Sequence, residues 1–111
     1  MPRARLLLAL AALLAAPARA QDAQPQLVIR DHRFTPPELH VPAGKRVTID
    51  VRNDDSTAEE FDSADLGVEK VIPGGREVPV RLRPLVPGRY AFSGEYHPDT
   101  AQGVVIAEPG E

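Results

Sequence analysis

The sequence predicts an all-β fold, a Greek-key β-sandwich of about seven or eight short strands. Segments in which apolar and polar residues alternate recur along the chain, and a period of two is typical of strands with one buried face. Clusters of turn-forming residues separate these segments at intervals of about 8–12 residues, as in other sandwiches. The 12 prolines among the 111 residues also oppose long helices, because proline interrupts the helical hydrogen-bond ladder.

The clearest strand is predicted at 46–53, where Val47, Ile49 and Val51 alternate with polar residues and should face the core. The same pattern predicts further strands, at 27–30, 38–42, 59–63, 78–82, 90–92 and 103–107.

Two single residues and one segment give finer predictions. Phe61 should anchor its strand in the core. Pro79 favours an edge position or a bulge, because proline donates no ladder hydrogen bond. Segment 64–71 is predicted as a loop with a short turn of helix.

The N-terminus predicts a secretory signal peptide. A basic start at Arg3 and Arg5 precedes an uninterrupted apolar run, 6–16, and small residues follow at Ala18 and Ala20. The alternative is a membrane anchor, but the run is shorter than the roughly 20 apolar residues that span a bilayer. We therefore expect export to the periplasm and no membrane insertion after cleavage. The predicted organisation is a signal peptide at 1–20, a flexible leader at 21–26, one domain at 27–107 and a tail at 108–111.

Composition limits the partners of this domain. The formal net charge is −3, and loss of the arginines in the signal peptide makes the exported chain more acidic. Nucleic acid is an unfavourable partner, because affinity for it comes mainly from Lys and Arg on phosphates. A cation, either a metal ion or a basic protein patch, suits this charge better. No cysteine is present, so neither disulfides nor a lipid-anchoring cysteine contribute.

Four motifs carry a resemblance to a known family. They are Thr-Pro-Pro-Glu-Leu-His-Val-Pro-Ala-Gly-Lys at 35–45, Val-Arg-Asn-Asp-Asp at 51–55, Pro-Leu-Val-Pro-Gly-Arg-Tyr-Ala-Phe at 84–92 and Gly-Glu-Tyr-His-Pro-Asp-Thr-Ala-Gln-Gly at 94–103. In order and spacing the chain resembles a cupredoxin-like domain over nearly all of 27–107. The resemblance implies a metal site at one end of the sandwich.

The sequence departs from the blue-copper members at three of their four ligand positions. Glu59 stands where the first His is found, Gly94 stands at the Cys, and Gln102 stands roughly at the Met. His97 alone matches. A blue-copper electron carrier is therefore not expected.

Three segments resemble a smaller group, the periplasmic cupredoxin-like proteins associated with bacterial Ftr1-type iron permeases. The segments are Glu59-Glu60-Phe61-Asp62-Ser63, Glu69-Lys70-Val71-Ile72 and Gly94-Glu95-Tyr96-His97. This resemblance implies iron, or copper as its redox partner, and a possible inner-membrane iron permease complex.

His97, Glu59, Glu60 and Glu95 are the candidate metal ligands. Carboxylate and imidazole form a harder set than thiolate and thioether, and suit iron or Cu(II). Each candidate has a plainer alternative. Glu59 and Glu60 are adjacent in a strand and cannot both face one side, Glu95 could be a solvated charge, and His97 could be part of a turn.

Other polar residues are less promising as ligands. Asp62 and His40 are interpreted as surface residues, and a second site using His32 or His40 has no support from the pattern. Tyr90 is expected to pack with its hydroxyl bonded to nearby backbone.

Two functions from different classes remain open. The first is a periplasmic metal-binding protein that serves an inner-membrane uptake system. The second is a metal-free docking or structural subunit of a transporter complex. No common catalytic motif is present, so no enzymatic activity is expected, and a ferroxidase would be an extension of the first function.

Overall fold

The computed structural model describes residues 24–110. The predicted signal peptide and the first residues of the predicted leader lie outside the described residues. Within the described part the chain forms nine strands: β1 (Gln26–Arg30), β2 (Arg33–Thr35), β3 (Glu38–Pro42), β4 (Val47–Asn53), β5 (Glu59–Ser63), β6 (Val68–Ile72), β7 (Glu77–Leu82), β8 (Gly88–Gly94) and β9 (Gln102–Glu108).

The strands form two sheets. One has four strands in the order β2-β1-β4-β7, and the other has five in the order β3-β9-β8-β5-β6. β1 runs parallel to β4 and β3 runs parallel to β9, whereas the remaining neighbours are antiparallel. The prediction of an all-β sandwich is confirmed. No helix in residues 24–110 is long and apolar enough to cross a membrane.

The structure corrects the prediction for segment 64–71. A turn at Gly67, with φ +69°, leads into β6, which pairs along its whole length with β5. β6 ends its sheet, and its three central residues, Glu69, Lys70 and Val71, are all exposed. Three consecutive exposed residues break the alternation from which strands are recognised, which explains the wrong prediction.

A tight hairpin between β1 and β2 is a second feature absent from the prediction. Arg30 pairs with Arg33, so only Asp31 and His32 form the loop, with φ of 53° and 59°. Two-residue hairpin loops of this kind need positive φ at both positions. Asp and His are among the side chains that tolerate this conformation best after glycine.

Three phenylalanines join the two sheets. Phe34 of β2 contacts Phe61 of β5 and Phe92 of β8 edge-on, with ring centroids 6.1 and 5.0 Å away, while Phe61 and Phe92 stack at 4.9 Å. All three are buried. The predicted role of Phe61 as a core anchor is confirmed, as are the inward positions of Ile49 and Val51.

Other single-residue predictions are also confirmed. Pro79 lies on β7, an edge strand. The Tyr90 hydroxyl donates to the carbonyl of Val86 at 2.6 Å.

The first strand begins earlier than predicted. β1 begins at Gln26, one residue inside the predicted leader, and the carbonyl of Pro25 accepts a hydrogen bond from the N–H of Asp50.

Phe61→Ala is expected to lower the free energy of unfolding by about 3–5 kcal/mol, because it removes the ring that contacts both other phenylalanines. Val71→Ala, at an exposed position of the adjacent strand β6, should change it by less than about 0.5 kcal/mol. Urea denaturation followed by circular dichroism measures both. Equal losses in the two variants would contradict the packing described above.

Candidate metal centre

The carboxylate of Glu59 is buried at one end of the sandwich. Glu59 opens β5, and alternation with Phe61 and Ser63 turns its side chain inward, where it is 1% exposed. Oε1 accepts hydrogen bonds from the backbone N–H groups of Glu60 at 3.0 Å and Tyr96 at 2.9 Å. Oε2 lies 2.6 Å from Nδ1 of His97. Three partners thus offset the cost of removing a carboxylate from water.

The loop between β8 and β9 holds His97 against this carboxylate. The N–H of His97 donates to the carbonyl of Gly94, and the N–H groups of Thr100 and Ala101 donate to the carbonyl of His97. These bonds close the loop into two tight turns. The N–H of Tyr96 and the ring of His97 consequently approach Glu59 together, because both belong to the same short segment.

Gly94 is required by the position of Glu59. A Cβ atom at residue 94 would lie 2.6 Å from Cδ and 2.8 Å from Oε2 of Glu59, and 2.7 Å from Cβ of Ala101. Such distances are far inside van der Waals contact. With Glu59 in place, neither cysteine nor any other larger residue fits at position 94 without displacement of the neighbours.

A second imidazole covers His97. The ring of His32 stacks on it with centroids 3.5 Å apart and planes inclined by 9°. Thr100 Oγ1 donates to the carbonyl of His32 at 2.6 Å, so the β1–β2 hairpin is bonded to the β8–β9 loop. The sequence pattern did not identify His32. The available signal was the short Asp-His loop between Ile29 and Phe34, which places a histidine at a hairpin tip.

Asp55 fixes this hairpin. Its Oδ1 and Oδ2 accept the N–H groups of Asp31 at 2.8 Å and His32 at 2.9 Å. Burial alone would raise the pKa of the Asp55 carboxyl, but these two N–H groups, helped by attraction to His32 and His97, outweigh it and hold the pKa below its usual value. Asp55 is itself placed by Asn53, a fully buried residue whose Oδ1 accepts the N–H of Asp55.

The other two predicted ligands lie outside this centre. Glu60 points to the opposite side of β5 from Glu59, and Glu95 is exposed. Burial raises the pKa of Glu60, and repulsion from the nearby carboxylates of Glu69, Asp62 and Glu95 raises it further. The structure therefore brings together Glu59 and His97 and separates them from Glu60 and Glu95. Across residues 24–110, no group of three or more His, Asp or Glu side chains is arranged to hold a metal ion.

Two further residues considered in the sequence also lie away from Glu59. Gln102 is exposed, and its Nε2 donates to the carbonyl of Pro98. His40 is exposed on β3, as predicted, with its ring nitrogens near Glu108 at 2.8 Å and Glu38 at 3.3 Å. The hydrogen bond with Glu108 raises the pKa of His40.

Comparison with known proteins gives the family of this fold. Residues 4–107 match the profile of the cupredoxin-like domain. An uncharacterised protein of Rickettsia prowazekii (strain Madrid E) is 40% identical over 81 residues, which make up 73% of this chain and 65% of that protein. The chain thus spans about two thirds of the length of this curated relative.

Solved structures of copper proteins share the fold. A variant of amicyanin in its reduced Cu(I) form at pH 4 has a TM-score of 0.65 at 21% identity, covering 85% of this chain and 90% of its own. Auracyanin A, a "blue" copper protein from Chloroflexus aurantiacus, has a TM-score of 0.65 at 16% identity, with coverage of 78% and 98%. A purple cupredoxin from Nitrosopumilus maritimus has a TM-score of 0.59 at 21% identity, with coverage of 77% and 100%. Identities this low show a common fold and nothing finer.

Gly94→Ala is expected to lower the free energy of unfolding by about 1–3 kcal/mol through overpacking against Glu59 and Ala101. Measured in a Glu59→Ala background, the same change should cost less, because the carboxylate no longer fills the space. Glu59→Gln keeps the volume and is the matched control, in which the cost should persist. The same cost in all three backgrounds would show that Glu59 and Gly94 do not compete for one volume.

Asp55→Asn is expected to lower the free energy of unfolding at pH 7 by about 1–2 kcal/mol, because an amide replaces the charged acceptor of two N–H groups. Since the folded pKa of Asp55 lies below its unfolded value, its stabilisation is fully present above about pH 4 and is lost as the pH falls through the folded pKa. The difference between the two proteins in urea denaturation should therefore shrink in acid.

Asp54→Asn is the neighbouring control for this measurement. Its carboxylate makes surface ion pairs with Arg30 and Arg52, which contribute little to stability. A pH-independent difference for Asp55→Asn, or a larger effect at Asp54, would contradict the assigned role of Asp55.

Proposed function

The chain belongs to the cupredoxin-like domain family, and from that premise we propose that it is a metal-binding protein in which Glu59 and His97 hold an iron or copper ion. One observation carries this proposal. A buried carboxylate oxygen and an imidazole nitrogen lie 2.6 Å apart at the end of the sandwich where the β8–β9 loop closes. Both are metal ligands, and a cation would replace the proton that they share.

The chemistry of these two groups decides which ions fit. A blue-copper centre needs a thiolate, but the chain has no cysteine and position 94 has no room for one beside Glu59. A carboxylate and an imidazole instead suit iron or Cu(II). When bound, such an ion would supply charge and redox capacity. The remaining ligand positions would be filled by water or by a partner protein.

Glu60 and Glu95 have a different role in this proposal. They lie outside the centre, and with Asp62 and Glu69 they form an acidic surface beside it. A negative surface raises the local concentration of cations. We therefore propose that these four carboxylates attract the ion and that Glu59 and His97 bind it.

We propose that the domain is exported and serves metal uptake. The predicted signal peptide supports a periplasmic location, and the motif resemblance supports service to an inner-membrane iron permease complex. In this function the domain binds and hands over an ion; no catalytic step is assigned to it.

A metal-free docking subunit is the second candidate, and a specific observation favours it. The Glu59 carboxylate already has three hydrogen-bond partners, so it is satisfied without an ion. The acidic surface around Glu60 could then receive a basic patch of a transporter subunit.

Titration calorimetry with Fe(II) under anaerobic conditions, Cu(II) and Zn(II) distinguishes the two candidates. We expect the purified protein to bind Fe(II) or Cu(II), and we expect Glu59→Gln and His97→Ala each to weaken binding by about 100-fold, because the first replaces an anionic ligand with a neutral amide and the second removes the imidazole. Glu60→Gln and Glu95→Gln, which remove charge but no ligand, should weaken it by only about threefold.

Glu60→Gln and Glu95→Gln are the controls for the two ligand variants. Loss of binding in Glu60→Gln or Glu95→Gln comparable to that in Glu59→Gln would contradict the assignment of ligands. Failure of the unmodified protein to bind any of the three ions below about 100 μM would reject the metal-binding function and leave the docking subunit.

A further inference from the structure

His32 is anchored at three points around His97. Its N–H is bonded to Asp55 and its carbonyl to Thr100, while its ring lies flat against the ring of His97. Thr100 belongs to the same loop as His97, so the hairpin and the loop are locked together. The positive φ of His32 is uncommon for a residue with a side chain and persists here because these contacts specify it.

Apart from the stacked ring of His32, few contacts fix the orientation of the His97 ring. Its N–H is bonded to Gly94, and within the described residues Nδ1 is its only ring nitrogen that makes a hydrogen bond. A ring held by one hydrogen bond can still pivot about that bond. A second ring stacked at 3.5 Å removes this freedom, because the plane of His97 can turn only if the stack opens.

We propose that His32 is a positioning residue, which sets the plane of the His97 ring and thereby aims Nδ1 at Glu59. It is not proposed as a ligand. Nearly parallel stacked rings direct their nitrogen lone pairs side by side, so the two imidazoles as placed do not converge on one ion. Loss of a residue that orients a ligating histidine commonly weakens metal binding by about 10- to 100-fold, and for this part the inference rests on the proposed function.

Two substitutions separate the ring of His32 from its nitrogens. His32→Phe keeps a flat ring for stacking but has no lone pair. His32→Asn removes the ring and retains a residue type that tolerates positive φ. Thermal melts identify any variant that fails to fold; if His32→Phe fails, the His32→Asn comparison with the unmodified protein decides.

The first measurement is the proton NMR spectrum of the His97 ring in the metal-free protein. We expect the Nδ1 proton of His97, which is hydrogen-bonded to Glu59, to give a sharp signal in the unmodified protein and in His32→Phe and to broaden by exchange with water in His32→Asn. An equally sharp Nδ1 proton signal in a folded His32→Asn protein would overturn the inference, whatever shift the loss of the stacked ring causes. This measurement needs no metal, so it stands even if the proposed function fails.

The second measurement is Cu(II) affinity together with the electron paramagnetic resonance spectrum of the Cu(II)-loaded protein. We expect affinity to fall about tenfold in His32→Asn and to stay within about threefold in His32→Phe, with one imidazole nitrogen coupled to copper in both the unmodified protein and His32→Phe. Two coupled nitrogens in the unmodified protein, one of them lost in His32→Phe, would instead make His32 a ligand. Absence of Cu(II) and Fe(II) binding in every form would reject the proposed function alone.

Discussion

The burial of the Glu59 carboxylate is the constraint on which this end of the molecule depends. A carboxylate removed from water is stable only when donors surround it, and each donor here comes from a defined piece of backbone or a defined ring. The N–H of Tyr96 and Nδ1 of His97 both come from the β8–β9 loop. The conformation of that loop and the identity of residue 94 therefore depend on the same carboxylate.

Contacts link this centre to the body of the sandwich in a continuous series. Asn53, at the end of β4, is buried and donates to the carbonyls of Thr57 and Ile72. It places Asp55, which holds the β1–β2 hairpin, and the hairpin places His32 on His97. The four-stranded sheet thus contributes His32, which contacts His97, from its β1–β2 hairpin. The five-stranded sheet contributes Glu59 from β5. Both sheets contribute, although the candidate ligands come from one.

Local patterns predicted the parts of this arrangement that depend on alternation. Period two placed Val51 and Phe61 in the core, and alternation with Phe61 put Glu59 on the inward side of its strand and Glu60 on the opposite side, without showing whether either binds a metal. The resemblance identified the loop of His97. Two features escaped prediction for different reasons. The stacking of His32 on His97 joins distant segments and needs a hairpin with two positive φ values. β6 follows β5 directly and is a strand because it pairs with β5, although its own residues do not alternate. Glu95 follows a strand end, where alternation gives no direction.

The fold and the Glu59–His97 centre have different consequences for function. Amicyanin and auracyanin A share the fold of this chain. Within that fold the Glu59 carboxylate leaves no room for a larger side chain at position 94 and presents an oxygen to the imidazole of His97. Metal-binding and metal-free functions both start from this same pair of side chains.

The most direct measurement is the nitrogen-15 NMR spectrum of the His97 ring in the metal-free protein at neutral pH. A hydrogen bond from His97 to the Glu59 carboxylate predicts a protonated Nδ1 whose strongly deshielded proton disappears in Glu59→Ala. An unprotonated Nδ1 with a spectrum that is the same in the unmodified protein and in Glu59→Ala would contradict the pairing of these two residues.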